Sequence, residues 1–128
     1  MKLISLELEN FRQHANSRIE FTDGITIING NNGSGKSTIL EAISWTIYGT
    51  DAIRGNKDSI IWNKAEGRAK VRVKLEFSIE KETFIVLREM KKAEVYLNEE
   101  SNLQAEGQIE VTKYLTDKLG MTRDEFFN

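Results

Sequence analysis

Gly30-Asn31-Asn32-Gly33-Ser34-Gly35-Lys36-Ser37, with Thr38 behind it, satisfies every fixed position of the pattern G-x-x-x-x-G-K-[ST]. Its flanks matter as much as the pattern. Ile25-Thr26-Ile27-Ile28-Asn29 is a short apolar, β-branched run that reads as a buried strand, and residues 39–48 stay apolar for long enough to be a helix. Strand, loop, helix is the context in which this pattern cradles phosphate. Gly30, Gly33 and Gly35 let the backbone turn where other residues cannot, so that successive N–H groups point at one anion. The helix adds its unpaired N–H groups and the positive end of its dipole. Lys36 is then placed to reach the β- and γ-phosphates of a nucleotide, Ser37 to hold a magnesium ion, and Thr38 to set a hydroxyl near the α-phosphate. An accidental lysine after a glycine-rich turn is the competing explanation, and the fit of both flanks counts against it.

The chain has 128 residues, enough for one domain with a core. Its 18 basic and 20 acidic residues leave a formal net charge of -2, so composition alone proposes no polyanion partner. There is no cysteine, which excludes disulfides and thiolate metal sites and fits a reducing compartment. Glu7 and Glu9 interrupt the opening too early for a signal peptide, and no apolar run approaches membrane-spanning length. The expectation is a cytoplasmic protein without a membrane partner.

Residues 3–8 alternate, Leu6 and Leu8 against Glu7 and Glu9, and predict a half-buried first strand. Residues 10–14 are read as a connection, and residues 17–21 as a second short strand that turns through Thr22-Asp23-Gly24 into the strand before the phosphate loop. In the helix after the loop, Ile39, Leu40, Ala42, Ile43, Trp45, Ile47 and Tyr48 surround most of its circumference, so it should be buried on nearly all sides, with Gly49 ending it. Residues 50–68 form an irregular loop around Ile60-Ile61-Trp62. Residues 71–77 alternate cleanly, residues 83–90 supply another strand, and residues 94–97 a third that turns at 98–102, together an antiparallel meander with one wet face. Gln108 to Leu119 predicts a helix with Val111, Tyr114, Leu115 and Leu119 inward and Gly120 as its stop. Thr122-Arg123-Asp124-Glu125 fits a capping box that announces a further helix, barely begun when the sequence ends at Phe126-Phe127-Asn128.

A working nucleoside triphosphatase of this kind also needs an acidic residue at the end of an apolar strand to support the magnesium, and a group that orients water. No strand after residue 69 is a continuous apolar run ending in Asp or Glu. The phosphate loop therefore predicts an incomplete unit.

The opening Leu6-x-Leu8-x-Asn10-Phe11-Arg12-x-His14, the entry Phe21-x-x-Gly24-Ile25, the loop Gly30 to Thr38 and the helix Leu40-Glu41-Ala42-Ile43 to Tyr48-Gly49 together resemble the SbcC and Rad-fifty family. These are DNA-repair ATPases of the structural-maintenance-of-chromosomes type with ABC-type heads. The likeness is strong over the first fifty residues and one of layout beyond, and Tyr48-Gly49 favours this branch over the RecF-like one. It implies an α/β P-loop NTPase fold, the N-terminal lobe of a head that is completed by a distant C-terminal lobe beyond a long coiled coil. That lobe supplies the Walker B strand, the catalytic glutamate and the signature motif, so no catalytic residue is expected in this chain, which alone should bind nucleotide with little turnover. A glutamine-bearing loop would follow just past residue 128. Residues 1–49 would carry the strands, phosphate loop and helix, 50–68 the loop near adenine, 69–98 the antiparallel strands and 107–128 the helices.

The resemblance carries further roles onto matching positions. Arg12 corresponds to an arginine that reaches the nucleotide phosphates, with a solvated loop arginine as the plainer alternative. His14 is as well explained by packing as by a nucleotide contact. Asn31 belongs to the loop, and Asn32 lines its γ-phosphate side. Asn63 and Lys64 fall in the segment that brushes adenine and ribose, where Trp62 either stacks on the base or anchors the loop; anchoring is the commoner use of a tryptophan. Arg72, Lys74, Lys91 and Lys92 could meet DNA phosphates or simply form a solvated face. Trp45 and Met90 belong to the core. The cofactors implied are ATP and Mg2+; the partners are the C-terminal lobe, a second head, an SbcD or Mre-eleven-like nuclease, and double-stranded DNA. Two other readings stay open: a RecF-like clamp that uses ATP without the nuclease, and a self-contained P-loop kinase, which the missing Walker B strand disfavours.

Overall fold

The computed structural model describes residues 2–11, 14–21, 33–49 and 71–120, of which 14, 15 and 33–38 by backbone alone. Within them the chain runs β1 (Lys2–Phe11), β2 (His14–Glu20), α1 (Gly33–Tyr48), β3 (Arg72–Ile79), β4 (Glu82–Glu89), β5 (Ala93–Leu97), β6 (Leu103–Glu106) and α2 (Gln108–Leu119). The six strands form one antiparallel sheet in the order β2-β1-β3-β4-β5-β6. The opening strands and the meander are thus one sheet, joined where β1 pairs with β3.

Period-two alternation sorts the side chains into two faces. One row of cross-strand neighbours, Ile19, Leu6, Leu75, Val86, Val95 and Ala105, crosses all six strands and faces the helices. Leu3, Phe77, Phe84 and Leu97 make a second row, with the Phe77 and Phe84 rings stacked at 5.4 Å. A register shift between Leu3 and Ser5 lets Leu3 and Leu6, three apart, both pack on the core. Each fully buried leucine or phenylalanine is worth about 1.5–3 kcal/mol, against about 0–1 kcal/mol for an exposed ion pair. The apolar rows, not the charges of the outer face, hold this sheet.

Helix α1 packs on β1, β3 and β4 and against α2, which covers β5 and β6. Residues 41–48 of α1 are all buried, as its apolar circumference required, and Leu40 is the partly exposed exception. Phe11 meets Trp45 with ring centroids 5.9 Å apart. That contact explains why β1 is longer than expected: a fully buried phenylalanine extends the strand past Leu8, and Asn10 takes a left-handed φ of 55° that asparagine tolerates.

Four expectations need correction. Residues 10, 11 and 14 belong to strands, with Phe11 paired to His14, so the connection shrinks to residues 12–13, which lie outside the described residues. The second strand spans His14–Glu20 rather than 17–21, because its register is dictated by pairing with β1 along its whole length. Strand β6 was not anticipated; it is short and mostly exposed, and is held by pairing to β5 and by Gly107 N–H donating to Ala93 O. The outer face is not wholly wet, since Ile85, only 8% exposed, sits on it opposite Tyr96. The expected strand over 25–29, the loop over 50–68 and the capping box at 122–125 lie outside the described residues.

Candidate nucleotide-binding site

Helix α1 begins at Gly33, inside the phosphate pattern, so Gly33, Ser34, Gly35 and Lys36 form its first turn, and Ser37 and Thr38 follow. The first N–H groups of a helix have no partner within it, and the first turn here carries no acidic residue to compete for them. An anion is the natural occupant of such an end, and the sequence of its first two turns contains a lysine and a hydroxyl residue, Lys36 and Ser37. The donor set fits magnesium nucleotide: one cation for phosphate oxygens and one hydroxyl for a hard metal. Arg12, Asn31, Asn32, Asn63 and Lys64 lie outside the described residues, so the structure does not bring them to this helix end or remove them from it.

The opposite end of α1 holds a residue to which the sequence pattern gives no prominence. Arg88 lies on β4 in the core-facing row Ser17, Leu8, Val73, Arg88, Ala93, and is 0% exposed. Its Nε donates to Thr46 O at 3.0 Å, one of the last four carbonyls of α1, which have no helical partner. Nη1 donates to Gln108 Oε1 at 2.7 Å and to Gln108 O at 3.4 Å, and Nη2 to Thr112 Oγ1 at 3.0 Å. Gln108 Nε2 donates in turn to Glu89 O at 2.8 Å. The last turn of α1 contains no basic residue, so this guanidinium provides the positive charge that complements the negative end of the dipole. Burial pushes the Arg88 guanidinium down to about 10, which leaves it charged at neutral pH. Gly49, at φ +76°, stands so close that an added Cβ would lie 2.9 Å from Nη1. The signal for Arg88 was present as a cation in phase with Phe84 and Val86, but Ile85 and Leu87 make the run apolar in both phases and hide it.

The outer face of the sheet bears on the DNA expectation for Arg72 and Lys74. Arg72 lies 3.7 Å from Glu9, and Lys74 Nζ donates to Glu100 at 2.6 Å. Lys74 holds the Glu100 carboxyl below its ordinary range, chiefly through that bond and then through its charge. A depression of about 320 Å3 there is lined by Glu7, Glu9, Arg72 and Lys74, with Leu8 and Asn16. Acids balance bases on this patch, which supports the solvated-face alternative for these two residues. Lys92 lies 3.7 Å from Glu94 in an exposed turn beside Lys91. Trp45 is buried and Met90 packs against the core, as expected.

Among the described residues no helix is long and apolar enough to cross a membrane, and no group of three or more His, Cys, Asp or Glu residues could hold a metal.

An antiparallel sheet covered by two helices, one of them starting within a phosphate-binding pattern, defines an α/β P-loop ATPase lobe. A family model described as an AAA domain matches residues 5–127, and the chain belongs to that family. It is 35% identical over 130 residues to the DNA double-strand break repair Rad50 ATPase of Methanococcus maripaludis, covering 100% of this chain and 13% of that protein. Identity to the Rad50 ATPase of Methanocaldococcus jannaschii is 35% over 132 residues, 100% of this chain and 12% of the relative. The Archaeoglobus fulgidus Rad50 ATPase is 37% identical over 86 residues, 67% of this chain and 9% of that protein. The likeness to the SbcC and Rad-fifty family therefore extends well beyond the first fifty residues. Among solved structures, the recombination mediator RecF with ATP superposes with a TM-score of 0.55 at 21% identity, covering 81% of this chain and 28% of that one. At that identity the match speaks for the fold alone. The chain spans only about an eighth of the Rad50 relatives that it matches along its whole length, 13% and 12%.

Proposed function

We propose that this chain is the ATP-binding half of an SbcC/Rad50-like ATPase head, in which ATP-driven pairing of two heads controls access of a partner nuclease to DNA ends. The observation that carries the reading is the start of α1 at Gly33, which lays Gly33 to Lys36 of the phosphate pattern along a helix N-terminus, within a chain similar over its whole length to Rad50 ATPases. The loop backbone from Asn31 to Thr38 cradles the phosphates, Lys36 neutralises their charge, and Arg12 adds a second cation. Asn32 faces the γ-phosphate side; Asn63 and Lys64 flank the nucleoside. Ser37 holds the magnesium ion, which supplies charge neutralisation at the phosphate oxygens. Residues 1–128 form one lobe, with internal divisions at 49, 68 and 98. Hydrolysis belongs to the completed head, because the Walker B strand and catalytic glutamate come from the C-terminal lobe.

ATP bound by one head and touched by the other stabilises only the paired state, so the nucleotide shifts the population toward it. The second head, the nuclease of the SbcD or Mre-eleven kind and double-stranded DNA are the partners of that state, in the cytoplasm or at the nucleoid. A RecF-like clamp that uses ATP without the nuclease is the alternative. The experiment is light scattering of the chain completed by its C-terminal lobe, with and without Mg-ATP. Dimers that form with Mg-ATP and are lost in Lys36→Ala support the reading; dimerisation indifferent to Lys36 overturns it.

A further inference from the structure

We propose that Arg88 is a positioning residue for the phosphate loop: by tying the far end of α1 to β4 and α2, it sets where the first turn of that helix stands. The inference rests on the nucleotide reading of residues 30–38. Helix α1 has 16 residues, which at a rise of about 1.5 Å each makes a rod of about 24 Å. Whatever fixes one end of such a rod fixes the other.

Apolar packing holds α1 in the core through interdigitated side chains, Trp45 against Phe11 among them, and carries no directional bond of its own. A directional bond from outside the helix settles the axial position. Arg88 supplies such a bond to the α1 backbone, its Nε donating to Thr46 O. The guanidinium is itself clamped, through Nη1 by Gln108 and through Nη2 by Thr112, both on the first turns of α2. Gln108 closes the ring by donating to Glu89 O on β4. Strand β4, the start of α2 and the end of α1 therefore meet at one planar group with five donors, a geometry that a lysine cannot reproduce. These bonds direct the charge onto helix carbonyls and neutral side chains rather than onto a carboxylate. The close approach of Gly49 to Nη1 leaves the arginine no slack on that side.

The test compares Mg-ATP affinity by titration calorimetry for the full chain and four variants, each confirmed as folded by circular dichroism at the working temperature. Arg88→Met should bind Mg-ATP about tenfold more weakly. Arg88→Lys, which retains one cationic donor for Thr46 O, should recover part of the loss, to about threefold. Val86→Ala removes core volume from the same strand and so lowers stability, yet it should bind as the parent does. Parent-like affinity in Arg88→Met, or an equal loss in Val86→Ala, overturns the positioning role while leaving the nucleotide site intact. Should Arg88→Met not fold, parent-like affinity in Arg88→Lys is the overturning result. Lys36→Ala separates the two ideas: if it binds as well as the parent, or the parent binds nothing, the nucleotide reading itself falls and takes the proposal with it.

Discussion

Replacing Gly49 by alanine tests the Arg88 junction without touching the arginine. Two costs add. At φ +76° an L-residue sits in the left-handed region, worth about 1–2 kcal/mol. The new Cβ would also lie 2.9 Å from Arg88 Nη1 and 3.3 Å from Thr112 Oγ1. The end of an arginine would ordinarily move aside at little cost. Here it is buried and bonded, and retreat breaks the 2.7 Å bond to Gln108 Oε1, a charge-assisted bond worth about 1.5–3 kcal/mol. The total is about 2.5–5 kcal/mol. Gly120, at φ +69° with nothing within 4 Å of where an added Cβ would stand, calibrates the backbone part, and Gly120→Ala should cost only about 1–2 kcal/mol. Urea unfolding followed by circular dichroism gives both numbers by linear extrapolation. A double-mutant cycle with Arg88→Met should then show coupling of about 1.5–2 kcal/mol, because methionine can yield to the methyl group. Equal costs at Gly49 and Gly120, or additive costs in the cycle, would refute the reasoning.

Leu75 stands fully buried in the row that crosses all six strands, and Leu75→Ala should cost about 3 kcal/mol by the same unfolding assay; Leu103→Ala, on an edge residue that is 46% exposed, should stay within about 0.5 kcal/mol. Ser44 Oγ is buried on α1 and has no hydrogen-bond partner among the described residues, so Ser44→Ala should stabilise by about 1 kcal/mol, and a loss of stability would point to a bond that the hydroxyl makes. The Glu100 carboxyl is held low by Lys74, so its contribution to stability is present above the ordinary carboxylate range and fades as pH falls through the lowered value. An NMR titration should show Glu100 ionising below the ordinary range in the parent and returning to it in Lys74→Met.

What could be read from the residues, and what could not, has a physical pattern. Helix α2 was legible to its ends, because Val111 and Leu115 set the period and Gly120 takes the left-handed C-cap, with its N–H donating to Thr116 O. The circumference of α1 foretold its burial, and the meander followed from the alternation in β3. Strand β6 escaped because an edge strand of Leu103, Gln104, Ala105 and Glu106 buries too little to leave a pattern. The length of β1 escaped because it depends on Phe11 meeting Trp45, a contact between residues 34 positions apart that no local window contains. Arg88 escaped for the same reason: its partners Thr46, Gln108 and Thr112 come from two helices far from it in the chain. The helix after the phosphate pattern was legible because its apolar run is local, and α1 starts inside the pattern at Gly33.

The central claim, that residues 30–38 hold nucleotide in a half-site, is tested most directly by calorimetric binding of Mg-ATP to the full chain, with steady-state turnover recorded on the same samples and on Lys36→Ala. The account predicts binding that depends on Lys36 and turnover no higher than that of the variant. Lys36-dependent turnover by the chain alone would contradict the half-site, and binding unaffected by Lys36→Ala would contradict the phosphate loop itself.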